Sequence, residues 1–173
     1  MSKFGIELEV HITSLRRYAR ALVRDRSEAD DLVQEALARA LSRADKFLAG
    51  TNLRAWLFTI MHNVHVNQVR SRAGRPAEVT VEDAVLEPSL SRPANQEARV
   101  ELGEMMRVLE TLPAEQRQVL LLVALEGMKY DEVAKVLDVP IGTVMSRLSR
   151  AREAMRVRLA GGAGVATTLR RVK

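Results

Sequence analysis

Arginines and small hydroxyl residues are concentrated near the carboxyl end of the chain, where Glu153 is the only acidic residue between positions 141 and 160. Guanidinium groups bind phosphates and can bind guanine bidentately, and serine and threonine hydroxyls bind phosphates. On charge alone, a solvated helix face with intrahelical ion pairs explains the cluster equally well. The arginines of the cluster are Arg147, Arg150, Arg152, Arg156 and Arg158.

The segment that carries these arginines is predicted to be the second helix of a helix-turn-helix. A short helix over residues 130–137, a turn over 138–140 and a helix from about residue 141 to 159 have the dimensions of this motif. The amino-terminal residues of such a second helix contact base edges in the major groove. Helical hairpins of this spacing also occur in proteins that do not bind DNA, but the arginines favour DNA. The predicted DNA-binding residues are Thr143, Ser146, Arg147, Ser149, Arg150 and Arg152.

Three amphipathic helices are predicted nearer the amino terminus, over about residues 6–23, 27–44 and 53–72. Ser27 is the predicted N-cap of the second helix. Trp56 falls on the apolar stripe of the third and is predicted to be a core residue. The apolar stripes are Leu8, Ile12, Leu15, Ala19 and Leu22; Val33, Leu37, Ala40, Leu41 and Ala44; and Leu53, Trp56, Leu57, Ile60 and Val64.

The distribution of prolines and charge predicts two small helical domains, an all-α fold. Residues 74–95 contain three of the five prolines in polar, mildly acidic sequence and are predicted to be a flexible linker. We therefore expect domains at 1–73 and 96–160, the second a helix-turn-helix. A basic, glycine-containing tail at 161–173 is expected to be disordered.

Composition excludes several classes of protein. The chain of 173 residues has no cysteine, which excludes a disulfide scaffold, a thiol nucleophile and an iron–sulfur cluster. His62 and His65 lack a third ligand nearby, and no phosphate loop or nucleophile elbow is present, so we expect neither metal nor cofactor nor enzymatic activity. The longest apolar run, 119–125, is too short to span a bilayer, and no signal peptide is recognisable, so we expect a cytoplasmic protein without membrane insertion.

The second domain resembles the promoter-binding domain of extracytoplasmic-function sigma factors. The resemblance lies in Pro140-Ile141-Gly142-Thr143-Val144-Met145-Ser146-Arg147-Leu148-Ser149-Arg150-Ala151-Arg152, with Leu112-Pro113-Ala114-Glu115-Gln116-Arg117 and Tyr130-Asp131-Glu132-Val133-Ala134 as its lead-in. It implies that this domain recognises the −35 promoter element as duplex DNA. Met145 stands where many relatives have a basic residue, so one contact is expected to differ.

The first domain resembles the same family independently. Ala29-Asp30-Asp31-Leu32-Val33-Gln34-Glu35 is similar to the segment that binds the β′ clamp helices of RNA polymerase, which implies polymerase binding by Asp31, Gln34 and Glu35. Compensation of the helix dipole would by itself explain Asp30 and Asp31. Ala55-Trp56-Leu57-Phe58-Thr59-Ile60-Met61-His62-Asn63 resembles the helix that reads the −10 element.

The resemblance further implies a pocket for an unpaired −10 base, in the loop 45–53 facing the third helix. Stacking and hydrogen-bonding groups hold such extruded bases. Phe47 also fits a plain core position. Histidines in the third helix replace basic residues common in relatives, so its positive charge is modest. The implied −10 residues are Arg39, Arg43, Phe47, Gly50, His62 and Asn63.

Together these features lead us to expect an alternative sigma factor that directs RNA polymerase to stress-response promoters. By resemblance, its partners would be the β′ clamp helices and the β flap of core polymerase, single-stranded −10 DNA, duplex −35 DNA and an anti-sigma factor. Two alternatives remain open: a sigma-like decoy that binds an anti-sigma factor, and a stand-alone helix-turn-helix regulator. The decoys known in the family usually carry a receiver domain, for which this chain leaves no length.

Overall fold

The computed structural model describes the backbone of residues 3–74 and 96–170 and the side chains of 4–74 and 96–161. Within these ranges the regular elements are helical and no strand occurs, which confirms the predicted all-α class. The elements are α1 (Lys3–Leu22), α2 (Arg26–Ser42), a 3-10 turn (Ala44–Lys46), α3 (Leu53–Ala73), α4 (Gln96–Glu110), α5 (Ala114–Leu120), a π turn (Leu121–Leu125), α6 (Tyr130–Leu137) and α7 (Ile141–Arg170).

Helices α1, α2 and α3 form the first domain around one apolar core. The predicted stripe of α1 is largely correct, but the buried Tyr18 was not predicted; its ring packs edge-on against Phe58 at 5.2 Å between centroids. Leu41, predicted to be buried, is 55% exposed. The reason is that the buried face of α2 lies to one side of Leu41. This face comprises Ala29, Leu32, Val33, Ala36 and Ala40.

The amino termini of α2 and α3 are fixed by side-chain caps. Asp25, and not the predicted Ser27, is the N-cap of α2, since its Oδ1 accepts a hydrogen bond from the backbone N–H of Glu28 at 2.7 Å. Asn52 caps α3 by accepting from the N–H of Ala55 at 3.0 Å. An N-cap contributes about 1 kcal/mol. Asn52 thereby fixes where the loop before α3 ends.

Helices α4 to α7 form the second domain, which contains the predicted helix-turn-helix. Asp138 in the left-handed region (φ 53°) turns the chain between α6 and α7. The helix predicted to continue through residue 126 changes to a π turn at Leu121, and Gly127 at φ 64° ends it. The core of this domain includes Leu112, Val119, Leu122, Val133, Val144, Leu148 and Ala151.

The two domains pack directly against each other. Helix α3 contacts α6, and α1 contacts the π turn.

The predicted linker lies outside the described residues except for Gly74. The sequence predicts that the last helix ends near Leu159, whereas α7 continues to Arg170; glycine weakens a helix by about 1 kcal/mol but keeps the backbone donor. Among the helices described between residues 3 and 170, none has the length and apolar character needed to cross a membrane.

All three histidines are partly buried, and burial lowers the pKa of each below its ordinary value of 6.5. Nearby Arg54 lowers the pKa of His11 further. The pKa of His65 is lowered further by His62 and Arg72 of the same helix and by Arg117 of α5, whereas Glu28 of α2 raises it. The folded chain therefore binds protons at these side chains less readily than the unfolded chain.

Replacement of Gly127 by alanine should lower the free energy of unfolding by about 1 kcal/mol, because alanine is strained at φ 64° although no atom would clash with its Cβ. Gly103→Ala is the matched control, since Gly103 lies inside α4 with open space around it, and should raise stability by about 0.5–1 kcal/mol. Urea unfolding of the two variants measures both changes. Equal shifts in the same direction would contradict this account.

Acidification should destabilise the fold over the range where the histidines titrate. Above pH 6.5 they are neutral in both states and contribute nothing; below it the unfolded chain takes up protons first, so stability falls as the pH decreases. Melting temperatures at pH 7.5 and 5.5 measure the loss, at roughly 2–4 °C per kcal/mol. His65→Gln should reduce the pH-dependent loss, and the same loss in this variant and in the parent chain would contradict the assignment to His65.

Candidate nucleic-acid interface

Helix α7 has one apolar face, which is buried, and one largely polar face, which is exposed. Val144, Leu148 and Ala151 are fully buried against α5 and α6, and they fix the rotation of the helix. This rotation places the side chains predicted to bind DNA on the opposite side. Thr143 and Arg147 are half-buried there, while the exposed residues are Ser146, Ser149, Arg150 and Arg152.

Arg147 is held within the domain by an ion pair. Its Nη2 lies 3.0 Å from Oε2 of Glu115, a residue of α5, and 21% of the Arg147 side chain is exposed. The guanidinium is therefore directed toward α5, and the predicted DNA contact of Arg147 would require exchange of this carboxylate for a base or phosphate. Arg150 and Arg152 make no ion pair within the described ranges, so their guanidinium groups are the more accessible ones.

Farther along α7, Arg156 is engaged with Glu153. Its Nε and Nη2 donate to the two carboxylate oxygens of Glu153 at 3.0 and 2.6 Å. This hydrogen bonding lowers the pKa of Glu153. The two interpretations of the arginine cluster thus apply to different parts of one helix: an ion-paired solvated face at 153–156 and unpaired arginines at 150 and 152.

The residues predicted to bind polymerase lie together on α2. Asp31 and Gln34 are exposed, and Glu35 is half-buried. Glu35 binds Arg39 of the same helix, one of the predicted −10 residues, and also accepts from Nε2 of Gln68 in α3 at 2.9 Å. One network therefore connects the predicted polymerase-binding and −10 surfaces. Arg43 is exposed at the end of α2.

The loop before α3 is anchored by an aromatic cluster. The ring of Phe47 lies 5.3 Å from that of Trp56 and 5.8 Å from that of Phe4. This packing favours a structural role for Phe47 and supports the prediction that Trp56 belongs to the core. Gly50 follows in the left-handed region at φ 88°. Asn52, which the sequence analysis did not select, caps α3 and donates from Nδ2 to Oε1 of Glu132 at 2.6 Å.

On α3 itself, Asn63 is exposed and His62 is half-buried. Burial lowers the pKa of His62, so this helix gains little positive charge at neutral pH. No group of three or more histidine or acidic side chains capable of holding a metal ion is present in the part of the chain that the structure describes.

A buried ion pair between the domains was missed by the sequence analysis. The carboxylate of Glu126 has no exposed surface and binds Arg17 of α1 and Arg54 of α3. Its position, directly after the apolar run 119–125, is a signal that the sequence offers, because an acidic residue in an apolar segment is rarely buried without a partner. The sequence around Glu126 does not indicate which arginines bind it, since they lie 109 and 72 residues away.

Comparison with protein families matches both domains in the predicted order. Residues 8–62 match the family described as the sigma2 domain of PhyR, and residues 102–155 match sigma-70, region 4. The chain is 40% identical over 141 residues to the ECF RNA polymerase sigma factor EcfG of Rhodopseudomonas palustris, covering 82% of this chain and 76% of that protein.

Solved structures also match most of the chain. The sigma factor RpoE of Bartonella quintana, in complex with the anti-sigma factor NepR, has a TM-score of 0.76 and 34% identity, covering 92% of this chain and 98% of that one. CnrH, in complex with the cytosolic domain of CnrY, has a TM-score of 0.67 and 27% identity, covering 91% and 88%. The relationship to a sigma factor thus extends over both domains, and the chain belongs to the extracytoplasmic-function sigma factors of the sigma-70 family.

Proposed function

We propose that this protein joins core RNA polymerase in the cytoplasm and directs it to a specific set of promoters, with no catalytic activity of its own. The single observation that carries this proposal is that both sigma domains are present in order in a chain whose helix-turn-helix exposes unpaired arginines. A stand-alone regulator would need only the second domain, so the match of residues 8–62 favours a sigma factor.

In this proposal the second domain reads the −35 element through the amino-terminal half of α7. Arg150 and Arg152 carry the charge for phosphate or guanine contacts, and the hydroxyls of Ser146 and Ser149 bind phosphates. Arg147 joins them once its carboxylate partner Glu115 is displaced. The β flap of polymerase is the proposed support for this domain.

The first domain is proposed to bind the β′ clamp helices and to open the −10 element. Exposed Asp31 and Gln34, with Glu35 beside them, form a polar patch suited to basic groups on the clamp. Asn63 and the loop around Gly50 are proposed to hold the unpaired base, with Arg43 and Arg39 near the phosphates. Phe47 is proposed to support this loop by packing, which modifies the role that the resemblance implied.

We also propose that an anti-sigma factor regulates the chain in a stress response. The similar sigma factor RpoE of Bartonella quintana was solved in complex with the anti-sigma factor NepR. This similarity supports an anti-sigma partner for the present chain and does not identify that partner.

A decoy is the second candidate, because the family that matches residues 8–62 is described from PhyR. A protein that only binds an anti-sigma factor has no need of an arginine-bearing recognition helix. The exposed Arg150 and Arg152, together with the similarity to a sigma factor over both domains, favour promoter recognition.

Addition of the purified protein to core polymerase and a pool of genomic promoter fragments should yield transcripts that share a two-part upstream motif. Reactions without the protein give the background. Tight polymerase binding with no transcript from any fragment would support the decoy, and no polymerase binding by the folded protein would contradict both.

Arg150→Gln should reduce transcription from such a promoter about 5- to 150-fold, since one bidentate base contact contributes roughly 1–3 kcal/mol. Arg150 makes no ion pair in the described ranges, so its loss should leave the fold unchanged. The matched control is Arg158→Gln, an exposed arginine two turns farther along α7. Equal effects of the two variants, at equal melting temperature, would count against a recognition role for Arg150.

A further inference from the structure

The buried carboxylate of Glu126 belongs to the second domain and is neutralised by the first. Nε of Arg17 donates to Oε1 at 3.0 Å, and Nη2 of Arg17 donates to Oε2 at 2.9 Å. Nη2 of Arg54 donates to Oε2 at 2.8 Å and also binds the backbone carbonyl of Glu126. A carboxylate that stays buried is strongly destabilising when it loses its partners. Within the described residues, these hydrogen bonds exist only while the domains are in contact.

Further polar contacts surround this ion pair. Arg117 of α5 donates to the carbonyl of Leu22, at the end of α1, at 3.2 Å. Arg24 lies 3.3 Å from the carboxylate of Glu110. The guanidinium of Arg54 also stacks over the ring of Phe58 at 5.7 Å, which ties the ion pair to the core of the first domain. The domain interface is thus fixed in position by hydrogen bonds.

The packed arrangement brings the two proposed DNA-binding surfaces too close together to occupy both promoter elements. Asn52, beside the proposed −10 loop, is hydrogen-bonded to Glu132 of α6. Helix α6 is about 12 Å long and packs about 8–10 Å from α7, so the recognition helix lies within about 25 Å of Asn52. The −10 and −35 elements are about 25 base pairs apart, which is about 85 Å of duplex.

The same arrangement is compatible with binding of an anti-sigma factor by a relative. The sigma factor of Bartonella quintana bound to NepR is similar over 92% of this chain, and both domains fall within that match. A chain that rests in the packed arrangement is therefore close to a form that a relative adopts while it is held by its anti-sigma factor.

We propose that Glu126 is an intramolecular latch that holds the two domains together and opposes promoter binding until it opens. The proposal rests on the proposed function, since only a protein that must reach two separated elements is inhibited by this packing. The 21 residues from 75 to 95 can span at most about 70 Å, and the widths of the two domains add to this reach, so the covalent chain permits a separation of about 85 Å. When the latch opens, the carboxylate of Glu126 exchanges its hydrogen bonds with the two arginines for hydrogen bonds with water.

Small-angle X-ray scattering tests the latch itself. The parent chain should have a radius of gyration near the value of about 16 Å that is typical of a compact domain of this length. Glu126→Gln should increase it by several ångström. Arg17→Gln, in the other domain, should increase it less, because Arg54 remains. An extended parent chain, or no change in either variant, would overturn the proposal.

Glu28→Gln is the matched control, because it removes the ion pair with Arg72, 2.8 Å long, within the first domain. It should leave the radius of gyration unchanged. Circular dichroism of the variants separates domain opening from unfolding. If Glu126→Gln does not fold, Arg17→Gln decides the outcome, since Arg17 is half-exposed and supports no core.

Binding to bacterial core RNA polymerase tests the inhibition. Glu126→Gln should bind about tenfold more tightly than the parent chain, and Glu28→Gln should not differ from it. An opened variant with unchanged affinity for polymerase and unchanged transcription would overturn the inhibitory role. If neither the parent nor the variants bind polymerase, the proposed function fails, and the scattering result alone decides the latch.

Discussion

Glu126 lies between Arg17 and Arg54 with none of its side-chain surface exposed to solvent, and these three residues determine how the two domains meet. Because desolvation of an unpaired carboxylate is costly, orientations of the domains that withdraw either arginine are disfavoured. The apolar contacts between α1 and the π turn are non-directional and would tolerate sliding. The ion pair supplies direction, together with the hydrogen bonds of Asn52 with Glu132 and of Arg117 with the carbonyl of Leu22.

Two carboxylates of the protein form ion pairs with arginines that are predicted to bind nucleic acid. Glu115 holds Arg147, and Glu35 holds Arg39, both predicted DNA-binding residues. The formal net charge of +5 already counts both members of these pairs, so the excess positive charge lies on other cationic residues. Phosphate contacts dominate non-specific DNA affinity, so in the proposed function this pairing should lower non-specific binding. In the amino-terminal half of α7, Arg150 and Arg152 stay exposed.

The sequence predicted the helix-turn-helix well, because local periodicity and the break around Pro140 determine both helices. It failed where a residue's environment depends on another segment. Leu41 has the spacing of a core residue but lies to one side of the buried face of α2. The partners of Glu126 are far away along the chain, and no periodic pattern reports such pairs. The family motifs identified the candidate site, but neither motif contains Glu126 or Arg17.

The aromatic cluster constrains how the loop before α3 can hold a base. Phe47 packs on Trp56 and Phe4, so rotating its ring toward a base would remove apolar contact area from the cluster. Edge and tilted aromatic pairs of this kind contribute about 0.5–1.5 kcal/mol beyond their burial. The ring of Phe47 is therefore held in place on the inner side of the loop. In the proposed function, hydrogen bonding to the base is then left to the backbone around Gly50 and to the exposed amide of Asn63, whereas Phe47 supplies rigidity.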